Sequence, residues 1–204
     1  RDGVEVSSSP LDAPTMREAV RLVREATSGP DGIDGGLVMC GKQFAYVERT
    51  DDRFVDGVMP YYHRTKRVED QNAIIDAIEA GEIDDAIVKL AVYVIGPVRA
   101  LAEATLANFA DTHQYAISGA NWADLQIRGV DKGSAVRDLQ RFLGVDRSQT
   151  AVFGDAGNDL SMMSEGDLSF AMANASADVI EAARFVAPSN NEAGVAQVLR
   201  ALLG

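Results

Sequence analysis

The sequence has few cysteines, few prolines and no long apolar run. Its single cysteine, Cys40, cannot form a disulfide within the chain, and the apolar run 37–40 around it favours a buried, unreactive thiol. The 6 prolines and 18 glycines are too few for a low-complexity or fibrous protein. No apolar run reaches the roughly 20 residues of a membrane-spanning helix, and the N-terminus lacks the pattern of a signal peptide. We therefore expect a folded, cytoplasmic protein.

Positive charge is also scarce in this sequence. The 19 Lys and Arg residues stand against 31 Asp and Glu residues, which gives a net charge of −12. Binding to nucleic acid draws most of its energy from clustered Lys and Arg, and anionic lipid is repelled by the same excess of negative charge. We therefore expect no nucleic acid and no membrane as a partner. A small anionic substrate is compatible with this charge if a bound cation and a local Lys reverse the field in one pocket.

The hydrophobic pattern changes near Gly129. Before this residue, helical and strand patterns alternate irregularly, and the polar and aromatic segment 49–70 is more typical of a loop. The predicted strands are 4–8, 37–40, 44–47, 86–95, 115–118 and 123–128, and the predicted helices are 14–27, 72–80 and 97–110. Residues 1–128 are therefore predicted to form a mixed α+β module.

After Gly129 the pattern is a regular alternation of helix and strand. Strands at 150–153, 168–172 and 185–187 are separated by single helices, and further helices are predicted at 133–143 and 192–203. Strands joined in this way form a parallel sheet with helices on both faces. The fold class predicted for the chain is therefore α/β, with a parallel-sheet module at 129–204 and a separate α+β module before it.

The segment 154–159 contains the candidate chemistry. In open parallel sheets, ligands bind beyond the carboxyl ends of the strands, where Asp155 follows the strand 150–153. Its carboxylate suits Mg²⁺, which commonly takes one or two carboxylates, waters and a substrate phosphate. Asp159, in the first turn of the next helix, is placed to hold a metal-bound water or to orient Asp155. The alternative is structural: Asp155 and Asn158 end a strand and cap a helix.

Two further polar residues are candidates for phosphate binding. Lys132 lies at the start of the helix 133–143, where its ammonium group can bind a phosphoryl oxygen. Asn158 can donate its side-chain amide to phosphate, together with backbone N–H groups of the helix start. For Lys132 the alternative is a solvated surface lysine.

Four segments together resemble a known family. They are Gly-Val-Asp-Lys-Gly at 129–133, Phe-Gly-Asp-Ala-Gly-Asn-Asp at 153–159, Ala-Met-Ala-Asn-Ala at 171–175 and Asn-Glu-Ala-Gly-Val-Ala at 191–196. In this order they resemble the C-terminal motifs of the Cof-type haloacid dehalogenase-like hydrolases, which have a type IIB α/β cap. The resemblance implies that residues 129–204 are the C-terminal part of a Rossmann-like core and that residues 1–128 are the cap.

The resemblance also implies a function. It is that of a Mg²⁺-dependent phosphatase acting on a small phosphorylated metabolite, such as a sugar phosphate. Lys132, Asp155 and Asp159 would be catalytic, Lys132 and Asn158 would bind the substrate phosphate, and Asp155 and Asp159 would serve the metal. In that family an Asp nucleophile forms an aspartyl-phosphate.

No segment of the chain fits that nucleophile. The acidic segments 31–34, 51–52 and 54–57 all lack an apolar strand leading into an Asp-x-Asp triplet. We therefore expect the nucleophile upstream of the chain shown and expect these residues alone to be inactive. The alternative function is a catalytically inactive protein of the same fold that binds or regulates, since a fold does not guarantee activity.

Two further features concern the family pattern. Ala173 and Ala193 replace the Gly and Asp that are usual in the family at these points of the motifs. The cap of the family selects the leaving group, so aromatic and His residues of the module 1–128 are candidates to contact substrate, with packing in a core as the alternative. These candidates are Tyr61, Tyr62, His63 and Trp122.

Overall fold

The computed structural model describes residues 5–204 and divides them into two compact units. One unit is Ser8–Arg128, and the other is Gly129–Gly204 with the described residues that precede Ser8. Of the predicted strand 4–8, Val4 lies outside the described residues, and residues 5–8 have no regular structure.

The Ser8–Arg128 unit is built on a six-stranded sheet. Its strand order is β3-β2-β1-β4-β6-β5, and neighbouring strands are antiparallel except for the parallel pair of β2 and β3. In chain order the elements are α1 (Ala13–Thr27), β1 (Gly35–Gly41), β2 (Ala45–Val47), α2 (Asp52–Val58), β3 (Thr65–Arg67), α3 (Gln71–Glu79), β4 (Ile87–Val94), α4 (Arg99–Ala104), β5 (His113–Ile117) and β6 (Trp122–Ile127).

The two faces of this sheet carry different side chains, because successive residues of a strand point to opposite faces. On one face, Met39, Leu90 and Leu125 are buried with residues of α1, α3 and α4 in the main core of the unit. The opposite face carries Ala91 and, with it, a second cluster that includes residues of α2. The helices α1, α3 and α4 therefore cover one face, and α2 packs on the other.

The segment 49–70 is more regular than its sequence suggests. The interpretation of this segment as a loop was wrong, because α2 and β3 lie within it. Asp51 caps α2 by accepting a hydrogen bond from the backbone N–H of Phe54, and Phe54 and Val58 are fully buried. Two apolar residues one helical turn apart were the signal for a short helix, but the polar and aromatic residues around them obscured it.

The second unit has the parallel arrangement that the sequence predicts. Its elements are α5 (Lys132–Leu143), β7 (Ala151–Gly154), α6 (Leu160–Met163), β8 (Leu168–Met172), α7 (Ala177–Ala182), β9 (Phe185–Ala187) and α8 (Gly194–Leu203). The strands form a parallel sheet in the order β7-β8-β9. Val136, Met163 and Val179 of α5, α6 and α7 pack in one cluster, whereas Val198 of α8 packs in another. Helices therefore cover both faces, which confirms the α/β fold class.

Three phenylalanines are paired across this sheet. Phe153 is the register partner of Phe170, and Phe170 is the register partner of Phe185. The rings of Phe153 and Phe170 stack with centroids 5.0 Å apart, and those of Phe170 and Phe185 lie 5.3 Å apart. A row of aromatic side chains thus crosses all three strands on one face.

Gly194, at the first position of α8, has no room for a side chain. A Cβ atom there would lie 1.9 Å from the carbonyl oxygen of Pro188. We expect Gly194→Ala to lower the free energy of unfolding by about 1–3 kcal/mol, since the backbone must move to relieve the overlap. Urea unfolding followed by circular dichroism measures this change, because the only tryptophan of the chain lies in the other unit.

Gly157→Ala is the matched control for that substitution. A Cβ atom at Gly157 would have its nearest neighbour 3.9 Å away, at Asp178 Oδ2, which is ordinary contact distance. Its unfolding midpoint should stay close to that of the unsubstituted protein. Equal midpoints for the two variants would show that the loop before α8 adapts freely.

Candidate active site

The loops that follow β7, β8 and β9 meet at the carboxyl edge of the parallel sheet. The carbonyl of Asp155, after β7, accepts a hydrogen bond of 3.0 Å from the N–H of Ser176, after β8. The side-chain oxygen of Asn174, also after β8, accepts one of 3.0 Å from the N–H of Asn190, after β9. The three loops are therefore tied to one another. Sequence reasoning missed Asn174 and Asn190 as residues of this edge, although Asn174 lies in a quoted motif.

Asp159 is the buried centre of the site. Its side chain is only 4% exposed, and Oδ1 forms an ion pair with Lys132 Nζ. Its other oxygen, Oδ2, accepts hydrogen bonds from the backbone N–H groups of Asp155, at 2.9 Å, and Ala156, at 3.2 Å. Burial raises the pKa of this carboxyl, but Lys132 and the two N–H groups outweigh burial and hold the pKa below its usual value. Asp159 is therefore a carboxylate whose two oxygens both have partners.

Gly154 allows Asp159 to lie close to the end of β7. A Cβ atom at Gly154 would be 2.6 Å from the Cβ of Asp159 and 2.7 Å from the terminal methyl carbon of Met163. Any larger residue would push the Asp159 carboxylate away from the two N–H groups that it accepts from. A glycine is therefore required before Asp155 on steric grounds.

Lys132 is held by the first turn of α5. Asp131 caps this helix by accepting a hydrogen bond of 2.8 Å from the N–H of Ser134. The N–H of Gly133 donates to Ser161 Oγ at 3.0 Å, which fixes the turn against α6. The Lys132 side chain is half exposed, so its ammonium group is both paired with Asp159 and open to solvent. Ser161 was missed by sequence reasoning, since nothing in the sequence pairs it with Gly133.

Asp155 and Asn158 are exposed at the same edge. Among the described residues, neither side chain forms a hydrogen bond or an ion pair, in contrast to Asp159. The structure thus joins Lys132 to Asp159 and Asp159 to the backbone of Asp155, and it leaves the Asp155 carboxylate and the Asn158 amide available. The predicted residues form one group, although their individual roles stay predictions.

The donor set can be tested for its fit to Mg²⁺. Within residues 5–204, no three His, Cys, Asp or Glu side chains are grouped to hold a metal ion. Mg²⁺ does not require such a group, since it commonly binds one or two carboxylates and completes its octahedron with waters and substrate phosphate. The exposed, unpaired Asp155 carboxylate fits this pattern. Asp159 fits the role of an orienting residue better than that of a direct ligand, because both of its oxygens have protein partners.

A second polar and aromatic cluster lies in the Ser8–Arg128 unit. Its members line a cavity of about 250 Å³, which we call the aromatic pocket: Tyr61, Tyr62, Lys89, Ser118, Trp122 and Asp124. His63 is exposed and does not line it. Trp122 has its ring centroid 5.2 Å from that of Tyr61 and 6.2 Å from that of Tyr62. Three of the four candidate contact residues are thus brought together.

Two polar groups near the aromatic pocket differ in their hydrogen bonding, the Tyr62 hydroxyl and the Trp122 indole N–H. Tyr62 Oη lies 3.3 Å from Cys40 Sγ, and burial raises the pKa of this thiol to about 11. The predicted burial of Cys40 is confirmed, and a raised thiol pKa is typical of an unreactive cysteine. Trp122 Nε1, in contrast, is buried and has no hydrogen-bond partner within the described chain. A buried donor without a partner costs about 1–3 kcal/mol.

Comparisons with known proteins give matches along most of the chain. The family model described as haloacid dehalogenase-like hydrolase matches residues 6–199. The 5-amino-6-(5-phospho-D-ribitylamino)uracil phosphatase YbjI of Escherichia coli strain K12 is 35% identical over 169 residues, which are 82% of this chain. The chain spans 59% of the length of that relative.

Solved structures with the same fold are also found. A crystal structure from Eubacterium rectale has a TM-score of 0.79 at 23% identity, over 95% of this chain and 69% of that one. A haloacid dehalogenase-like hydrolase from Bacteroides thetaiotaomicron has a TM-score of 0.70 at 20% identity, over 93% and 65% of the two chains. At these identities the likeness concerns the fold alone.

None of the helices in residues 5–204 has the length and hydropathy to cross a membrane.

Proposed function

This chain belongs to the haloacid dehalogenase-like hydrolases, and we propose that it forms part of a Mg²⁺-dependent phosphatase of small phosphomonoesters. The observation that carries the proposal is the arrangement around Asp159. This buried carboxylate orients the Lys132 ammonium and the backbone of Asp155, and it leaves the Asp155 carboxylate unpaired at the edge of a parallel sheet. Asp159 thus binds the cation of Lys132 through one oxygen and the backbone N–H of Asp155 through the other, an arrangement that supports binding of a phosphate and a metal together.

Each residue of the site has a role in this proposal. Lys132 binds a phosphoryl oxygen and offsets the charge that develops during transfer. Asp155 holds Mg²⁺, which when bound withdraws charge from the phosphoryl oxygens. Asn158 donates its amide to the substrate phosphate, and Asp159 keeps Lys132 and the Asp155 loop in place. Asp159 also belongs to the proposed metal site, where it acts by orienting the Asp155 loop.

The bond-breaking step is proposed to use an aspartate outside the 204 residues. Its carboxylate oxygen attacks the phosphorus atom and displaces the alcohol, which takes a proton from the second Asp of the Asp-x-Asp triplet. That Asp then takes a proton from the water that cleaves the aspartyl-phosphate to phosphate and free aspartate. The unit Gly129–Gly204 would be the C-terminal part of the catalytic core, and the unit Ser8–Arg128 would be the cap.

The substrate is proposed to be a small phosphorylated metabolite. The relative from Escherichia coli is named for 5-amino-6-(5-phospho-D-ribitylamino)uracil, and this compound is therefore the first substrate to test. The net charge of −12 supports neither nucleic acid nor a membrane as a partner. A cytoplasmic location stays a prediction from the sequence.

The proposal is tested by assaying the full product of the gene that encodes these residues for release of phosphate from p-nitrophenyl phosphate. We expect turnover that EDTA abolishes and that added Mg²⁺ restores, and we expect the 204-residue chain alone to show none. Turnover in the presence of EDTA would contradict the role of Mg²⁺. No turnover by the gene product with any phosphomonoester tested would favour a non-catalytic protein of the same fold.

A further inference from the structure

Three arginines line one cavity in the unit Gly129–Gly204, although the chain as a whole is acidic. The cavity has a volume of about 480 Å³, and we call it the arginine cavity. Its wall is formed by Arg137, Gln140, Arg141, Val145, Asp146 and Arg147. Three cations and one carboxylate give this wall an excess of positive charge, in contrast to the net charge of −12.

The guanidinium groups keep most of their N–H donors without a protein acceptor. Arg137 and Arg141 each donate a hydrogen bond from a single nitrogen to a carboxylate. Arg147 Nη2 lies 3.6 Å from Asp167 Oδ1, which is too long for a hydrogen bond. A guanidinium has five N–H donors, and all three side chains are at least half exposed. The donors that no group of residues 5–204 accepts are therefore available to a ligand.

Asp146 does not neutralise these arginines by pairing with them. Its Oδ1 accepts a hydrogen bond of 2.6 Å from Ser148 Oγ and one of 2.8 Å from the N–H of Ser148. Both bonds hold the pKa of Asp146 below its usual value. The carboxylate is thus turned toward its own backbone turn, and the arginines of the wall are left to act as cations.

Hydrogen bonds fix the arginine cavity at the amino end of β7. Gln140 is buried, and its Nε2 donates to Thr150 Oγ1 at 3.0 Å and to the carbonyl of Glu165 at 2.6 Å. The carbonyl of Arg147 accepts a hydrogen bond of 3.2 Å from the N–H of Thr150. Asp155 follows the opposite end of β7, and the four residues of this strand span about 13 Å. The cavity is therefore separate from the proposed metal site.

Helix stability accounts for only part of this cluster. Arg141 lies in the last turn of α5, where a cation interacts favourably with the helix dipole. Arg147 lies outside α5, in the short turn before β7, and so gains nothing from that position. The placement of Arg147 beside the other two arginines is therefore better explained by a shared anion.

We propose that the arginine cavity binds a phosphate group. A phosphate group carries about two negative charges at neutral pH and has several acceptor oxygens, so it can accept from more than one guanidinium at once. A carboxylate has one charge and two oxygens, which a single arginine satisfies. The phosphate group is that of inorganic phosphate or of a phosphorylated metabolite. This site goes beyond the proposed function and does not depend on it.

The test is calorimetric titration of the full product of the gene that encodes these residues, carrying Lys132→Met and kept in EDTA. This background removes the proposed phosphate contact at the other end of β7 and the metal that would assist it. We expect saturable binding of inorganic phosphate and none of acetate at the same ionic strength. Glucose 6-phosphate separates the two sources: tighter binding than inorganic phosphate indicates a metabolite, and equal or weaker binding indicates inorganic phosphate.

Substitutions in the same background locate the binding. Arg141→Gln and Arg147→Gln should each weaken phosphate binding at least about tenfold, which corresponds to the loss of one hydrogen bond to a charged group. Arg99→Gln is the matched control for Arg141→Gln. The two side chains are 73% and 77% exposed, and each pairs with a carboxylate on its own helix, but Arg99 lies in the other unit. Circular dichroism confirms that each variant is folded.

Several outcomes would overturn the assignment. They are the absence of phosphate binding in the Lys132→Met background, equal binding of acetate and phosphate, and losses in Arg141→Gln and Arg147→Gln no larger than that in Arg99→Gln. An active phosphatase without this binding contradicts the arginine cavity alone. An inactive gene product that binds phosphate through Arg141 and Arg147 contradicts the proposed function alone.

Discussion

Replacing Asp155 by Asn should lower kcat/KM for phosphate release by about 10²–10³-fold, the size of the effect when one charge-stabilising group of an active site is lost. Asn keeps the shape of Asp but removes the charge that would hold Mg²⁺. Titration of activity with Mg²⁺ should show a weaker apparent affinity for the metal as well. The measurement is made on the full product of the gene that encodes these residues.

The same variant should keep the stability of the protein. The Asp155 carboxylate has no hydrogen bond or ion pair within the described residues, so its loss should change the free energy of unfolding by no more than about 0.5 kcal/mol. Asp138→Asn is the control for activity, since among the described residues this partly exposed carboxylate of α5 bonds Ser7 and Arg141 and no residue of the proposed site, so full activity should remain. Full activity in Asp155→Asn would remove this residue from the metal site.

Replacing Asp159 by Ala should lower the free energy of unfolding by roughly 2–4 kcal/mol. The substitution removes two part-buried hydrogen bonds from backbone N–H groups to a charged acceptor, at about 1.5–3 kcal/mol for a bond to a charged group, and it removes the ion pair with Lys132. Phosphate release should fall too, because Lys132 and the Asp155 loop lose the group that orients them. Urea unfolding by circular dichroism measures the first effect.

Two further variants show how much of the loss of stability in Asp159→Ala comes from the burial of this carboxylate and how much from its ion pair. Asp167→Ala removes a carboxylate that is 44% exposed and lies 3.6 Å from Arg147, so it should cost at most about 1 kcal/mol. Lys132→Met, alone and combined with Asp159→Ala, gives the coupling between the two residues, for which we expect about 0.5–3 kcal/mol. A cost for Asp159→Ala as small as that for Asp167→Ala, or additive effects of the pair, would contradict the central position of Asp159.

The part of the fold that could be predicted from sequence depends on local pattern. The strands of the second unit were predictable because apolar runs such as 168–172 stand between clear helices, and its parallel order follows from the connections. The order of the six-stranded sheet was not predictable, since β1 pairs with β4 across about half the unit. Pairing over such distances depends on the fit of whole faces and leaves no short signal.

The candidate site shows the same division. The sequence alone is enough to propose Asp155 as a metal ligand, because it follows a strand and because carboxylates suit Mg²⁺. The ion pair of Lys132 with Asp159 joins residues 27 positions apart, and only the folded chain shows that both oxygens of this carboxylate have protein partners. The bond from Gly133 to Ser161 is a similar case, because the sequence does not distinguish Ser161 from the nearby Ser164 as its partner.

The three phenylalanine rings across β7, β8 and β9 have a consequence for the position of the site. In a sheet, a slip of one residue would turn each ring to the opposite face, so the stacked row penalises every register but one. The loop with Asp155 begins two residues after Phe153, and the loop with Asn174 begins soon after Phe170. How far each strand extends before its loop is therefore fixed by contacts between rings that are not themselves part of the proposed site.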